Sequence, residues 1–87
     1  MFIADDLYIK IMESVPILCV DAIIKNKDGK FLLVKRNFEP LKGIFWTPGG
    51  RTFKNESTEA SIRRVIKKEI GVDCGELKSV GYFEDFF

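Results

Sequence analysis

The 87-residue sequence predicts an α/β fold from three observations: two stretches of helical periodicity, two β-prone runs joined by a turn, and a segment between them rich in glycine and proline. The first stretch, Asp5 to Ser14, places Leu7, Ile11 and, more loosely, Tyr8 on one side at helical spacing, and Pro16 closes it. Residues 17–25 and 30–35 are the β-prone runs, and Asn26, Lys27, Asp28 and Gly29 between them are the signature of an antiparallel hairpin. From Asn37 to Gly50 the residues Pro40, Gly43, Pro48, Gly49 and Gly50 surround Phe45 and Trp46, which predicts a loop with at most a short strand inside. The second helix is expected from about Thr58 to Ile70. Ser57 can cap its free amides, Glu59 suits its positive first turn, Lys67 and Lys68 suit its end, and Gly71 stops it. Leu77 to Phe83 then reads as a further strand, before the chain runs out through Glu84, Asp85, Phe86 and Phe87.

A chain of this length holds one hydrophobic core at most. Its formal net charge of +1 supplies no basic field of the kind that draws proteins to nucleic acid. No run approaches the ~20 apolar residues that span a bilayer, and acids stand near the start where a signal peptide would carry bases, so a cytoplasmic location with no membrane partner is expected. Cys19 and Cys74 lie far apart and the chain has no histidine, which excludes zinc spacings and a Cys–His pair and leaves two reduced thiols as the expectation. Lack of histidine also removes the side chain most used for proton transfer near neutral pH.

The most informative position is Glu69. At 100° per residue from Ile62, the positions of Val65, Ile66 and Ile70 form one apolar arc, with Glu69 near its centre. A carboxylate facing a core must be protonated, paired or metal-bound, because burying it bare costs several kcal/mol. An ion pair with Arg36 or Arg51 would satisfy it; so would a magnesium ion. Pro48 to Gly50 precede this helix and let backbone groups approach an ion or phosphate closely, and hard cations prefer carbonyl and carboxylate oxygen. Arg36 and Arg51 flank the same segment and could grip a diphosphate bidentately.

Gly50, Glu56, Arg64, Ile66, Glu69, Gly71 and Val72 fall in register with the Nudix box, and FLLVKRNFEPLKGIFWTPGG resembles the strand, loop and Trp-x-Pro-Gly-Gly lead-in that precedes the box. The resemblance implies an α/β/α sandwich with a mixed sheet. Its loop, helix and loop would form a magnesium site for a diphosphate linked to another moiety. Two positions depart from the family pattern. Val65 and Lys68 stand where further glutamates are usual, so the helix presents one carboxylate in place of a cluster and should hold fewer ions, a single magnesium being expected.

The same two losses mark the GDP-mannose mannosyl hydrolases, and the sequence also resembles that subgroup in its opening Met-Phe, the proline before the first strand, Asp21 and the Lys35–Arg36 pair. In that subgroup water is taken to attack the anomeric carbon of the sugar and release GDP. The resemblance makes the Gly49 carbonyl and Glu69 the magnesium ligands, Arg36 and Arg51 the groups that stabilise the leaving diphosphate, and Asp21 a residue that arranges the sugar. Phe2, Ile3 and Tyr8, with Arg36, would border the nucleotide, although plain packing of an N-terminal helix accounts for the first three equally well. Gly50 belongs to the structural motif, and Glu56 with Arg64 is expected to be an orienting ion pair that braces loop against helix. Trp46 is expected in the core rather than stacked on a base.

The subgroup places its histidine base and a further metal ligand on segments with no counterpart in these residues. The expectation is therefore that residues 1–87 are the N-terminal portion of one Nudix domain with the C-terminal part of the fold missing. Clustered Phe83, Phe86 and Phe87 fit that reading. Three functions remain open. They are a magnesium-dependent GDP-sugar hydrolase attacking carbon, an ordinary Nudix pyrophosphohydrolase attacking phosphorus, and a fragment that only binds nucleotide or self-associates. A homodimer is implied for the full domain, with the N-terminal segment reaching towards the other subunit.

Overall fold

The computed structural model describes residues 2–37 and 41–84. Pro40, Asp85, Phe86 and Phe87 of the expectations above lie outside the described residues. Six elements occur in the order α1 (Asp5–Ser14), β1 (Cys19–Asp21), β2 (Val34–Lys35), β3 (Phe45–Trp46), β4 (Gly49–Arg51) and α2 (Thr58–Ile70).

Both helices span the residues their sequence signals mark. α1 begins with Asp5 and Asp6 in its positive first turn and ends where Val15 turns extended, the conformation that Pro16 imposes on the residue before it. α2 is capped at both ends. The Ser57 hydroxyl accepts the Ala60 N–H at 3.0 Å, and Gly71 takes a left-handed φ of 83° while its N–H donates to the Lys67 carbonyl.

The hairpin turn forms by the means its residues suggest. Asn26 Oδ1 accepts the N–H groups of Asp28 and Lys30, at 2.9 and 3.0 Å, and Gly29 supplies the positive φ of 80°. Among the described residues the two runs pair at the turn end, through the Asn26 N–H to Lys30 carbonyl bond, the Lys25–Phe31 bridge and the Leu32 N–H to Ile24 carbonyl bond. Further from the turn each run takes another partner. β1 pairs antiparallel with β4, matching Cys19 to Arg51, Val20 to Gly50 and Asp21 to Gly49, and β2 pairs antiparallel with β3, matching Val34 to Trp46 and Lys35 to Phe45.

Two expectations are corrected. Gly49–Arg51 is a strand rather than loop, because β1 offers a ladder that local glycine content says nothing about. Residues 77–83 form no strand among the described residues, where no other segment pairs with them. Arg63 Nη1 instead holds the chain after α2 through the Cys74 carbonyl, at 2.9 Å.

The core lies where α2 crosses β1 and β4. Ala22, Val65 and Ile66 are its buried apolar residues, with Pro48 and Ser61 fully enclosed beside them. It is small for the chain. The accessible surface is 7448 Å² for 10.0 kDa, against about 5200 Å² for a compact protein of that mass, and Leu18, Ile23, Phe31, Leu33 and Phe45 stay largely exposed. Among the described residues no helix is long and apolar enough to cross a membrane.

Candidate active site

β4 runs from the buried Pro48 along the β1 edge, and its register sets Gly49 opposite Asp21. A side chain at Gly49 has no room. A β-carbon there would run into Asp21 Oδ1 and sit 2.6 Å from the Val20 carbonyl oxygen, so the glycine is required by close approach. Gly49→Ala is expected to cost about 1–3 kcal/mol, read as an earlier denaturant midpoint. An unchanged midpoint would show that the β1–β4 crossing is looser than this. Asp21 is exposed, and its Oδ1 accepts the Thr47 hydroxyl at 3.1 Å. No motif marks Thr47 as a site residue, and its only sequence signal is a hydroxyl between Trp46 and Pro48 in the lead-in.

Glu69 comes to this strand from the last turn of α2. Desolvation is the main influence on its carboxyl and raises its pKa; the Gly49 N–H hydrogen bond, Lys68 and Arg36 pull it down, and the Asp21 carboxylate adds to the rise. The expectation of a core-facing Glu69 is corrected, since the residue is exposed. Helical arithmetic located the arc but not the extent of the layer beneath it. Strands of three residues, about 10 Å long, support roughly two turns of a 13-residue helix, so enclosure stops at Ile66. What converges is a partly desolvated carboxylate, a glycine amide, a second carboxylate and the Arg36 guanidinium. It is the N–H of Gly49, rather than its carbonyl, that engages Glu69 here.

Val65, one turn before Glu69, is only 4% exposed, and its Cγ2 lies 3.3 Å from where a β-carbon on Gly50 would stand. Position 65 is therefore part of the core. Among the described residues no group of three or more acidic, histidine or cysteine side chains could hold a metal ion. Oxygen donors that are few in number still suit one hard divalent cation, since magnesium is commonly held by one or two carboxylates with the rest of its shell left to water and phosphate.

Beside this cluster Arg64 grips Glu56 with two parallel bonds, Nε to Oε2 at 2.8 Å and Nη2 to Oε1 at 3.0 Å. Arg64 Nη2 also donates to the Arg51 carbonyl at 2.8 Å, and Glu56 Oε1 accepts the Phe53 N–H at 3.0 Å, so loop, strand and helix are joined at one point. The Arg64 hydrogen bond, followed by that from Phe53, lowers the Glu56 pKa from 4.5 to about 2, and the same pair raises Arg64. A depressed carboxyl contributes stability that is complete above the unfolded value and disappears as pH falls through the folded one. Stability should thus decline from pH 4.5 towards 2. Glu56→Gln should flatten that part of the profile, and a profile unaltered by the substitution would place the acid sensitivity elsewhere.

Of the remaining predicted residues, Arg36 is half-buried just past β2, and Tyr8 on α1 carries its ring 5.8 Å from the Arg51 guanidinium. Ile3 is half-buried and Phe2 is 89% exposed. Trp46 is half-buried, less enclosed than the core position expected for it.

Residues 15–87, from the end of α1 onwards, match the NUDIX domain family. The chain belongs to the Nudix family of hydrolases. It is 38% identical to the low-salt glycan biosynthesis protein Agl8 of Haloferax volcanii over 85 residues, which are 98% of this chain and 54% of that protein. With the ADP-ribose pyrophosphatase of Methanocaldococcus jannaschii it shares 46% identity over 57 residues, 66% of this chain and 33% of the relative. The Nudix chain thus spans about half the length of the first relative, and its match with the second covers a third of that protein.

Proposed function

We propose that this Nudix chain carries the diphosphate and metal site of an enzyme that hydrolyses a GDP-mannose-like sugar nucleotide to GDP and free sugar, with one magnesium ion. The observation that carries the reading is Val65. Its enclosure against Gly50 leaves Glu69 as the single helix carboxylate beside Gly49, where attack at phosphorus in ordinary family members draws on an acidic cluster holding several cations. One ion suffices to assist departure of a diphosphate.

Water bonds to the anomeric carbon and gives up one proton to solvent, the bond from that carbon to the diphosphate oxygen breaks, and the electron pair leaves with GDP. Glu69 and the Gly49 carbonyl would hold the magnesium, and Glu69 must then share or release the Gly49 N–H. When bound, the ion would supply positive charge to the diphosphate oxygens. Arg36 and Arg51 would bind the same oxygens and favour the developing charge, and Asp21, oriented by Thr47, would accept a hydrogen bond from a sugar hydroxyl. Phe2, Ile3 and Tyr8 would border the nucleotide. The likeness to a glycan biosynthesis protein supports a sugar-linked substrate. A homodimeric, cytoplasmic enzyme is the assembly and location that suit this reading.

Hydrolysis of GDP-mannose in oxygen-18 water tests it. The label should appear in mannose, with GDP as the nucleotide product; label in phosphate, with release of GMP, would overturn it. That second outcome belongs to a phosphorus-attacking pyrophosphohydrolase, a reading favoured by the intact Glu56, Arg64 and Glu69 and by the likeness to an ADP-ribose pyrophosphatase.

A further inference from the structure

Phe53, two residues beyond β4, lies outside the residues that define the Nudix box and stands at the meeting point of two cations. The Arg64 guanidinium carbon is 3.5 Å from its ring centroid and that of Arg51 is 5.0 Å away. A guanidinium within about 6 Å of an aromatic face is attracted by the ring's quadrupole. Two cations sharing one ring would repel each other without a counter-charge. Glu56 provides it, held ionised by the paired bonds from Arg64.

The backbone of Phe53 is fixed by the same group, because its N–H donates to Glu56 Oε1 at 3.0 Å. Arg51 is held at both ends: its carbonyl accepts from Arg64 Nη2 at 2.8 Å, and its guanidinium lies beside the rings of Phe53 and, at 5.8 Å, Tyr8. Fixing a long arginine side chain when its ligand arrives costs rotamer entropy, and ordering it beforehand removes that cost from binding.

We propose that Phe53 is a positioning residue, whose ring pre-orders the Arg51 guanidinium to receive the diphosphate of a nucleotide derivative. The diphosphate rests on the function proposed above, whereas the ordering of Arg51 does not, and the experiment separates the two. Binding of GDP with magnesium is measured by calorimetry for the wild type, Phe53→Leu and Phe53→Tyr, alone and combined with Arg51→Met. Phe53→Leu is expected to weaken GDP about 3- to 10-fold, and Phe53→Tyr, which keeps the aromatic face, to restore it. With Arg51→Met present, Phe53→Leu should have no further effect, since its influence runs through Arg51.

In parallel, the Arg51 Nε–H proton resonance reports the ring directly. In the wild type it should lie upfield of an exposed arginine, and Phe53→Leu should return it to the ordinary position. An unshifted resonance in the wild type overturns the proposal even if Phe53→Leu fails to fold, as does an equal loss of GDP binding with or without Arg51. A shifted resonance with no GDP binding by the wild type upholds the ordering of Arg51 and overturns its assignment to a diphosphate.

Discussion

Glu69→Gln is expected to lower magnesium-dependent turnover by on the order of 100-fold or more and to abolish the rise in Tm that magnesium gives the wild type. The substitution keeps shape and removes charge. Desolvation beside β4 raises the pKa of the wild-type carboxyl, so its ionised form carries a cost at neutral pH that glutamine avoids. Without metal the variant should therefore melt at the same temperature as the wild type or slightly above it. Opposite signs in the two conditions separate a ligand from a structural brace. If Glu69 were instead needed to hold α2 on the strand, the variant would melt lower in both, and a magnesium-induced rise that survived the substitution would remove Glu69 from the metal site.

Val65→Glu should have the largest effect on stability. The side chain is 4% exposed and its methyl group sits within 3.3 Å of the space above Gly50, so a carboxylate here is both desolvated and overpacked. A penalty of several kcal/mol in a domain this size corresponds to a Tm drop on the order of 10–20 °C. Magnesium should recover part of the loss, because the new carboxylate lies one turn from Glu69 and a shared cation would neutralise both. A titration showing a second metal equivalent would support the view that valine at this position limits the site to one ion. A variant with wild-type Tm and unchanged metal stoichiometry would show instead that this position has no bearing on the metal.

Both outcomes depend on features that differ in how far they can be read from residues alone. The ends of α2 were legible because Ser57 and Gly71 act within a single turn, and the hairpin turn because Asn26 and Gly29 satisfy its geometry locally. The spacing from Gly50 to Val72 likewise marked the family, which the match over residues 15–87 establishes. Glu69 could be assigned to an apolar arc from its spacing, yet its exposure could not, since enclosure depends on how much strand lies beneath the helix.

What the sequence determined by itself is the run of local elements and the kinds of side chain available to a diphosphate and a hard cation. The tertiary structure alone decided that Gly49 and Gly50 are a strand on the edge of β1, which sets Asp21 against Gly49, Val65 against Gly50 and Phe53 beneath two guanidinium groups. The physical reason is range. Caps and turns are settled by hydrogen bonds among close neighbours in the chain, whereas a strand exists only through a partner, and which distant segment becomes that partner is set by the packing of α2 across them both.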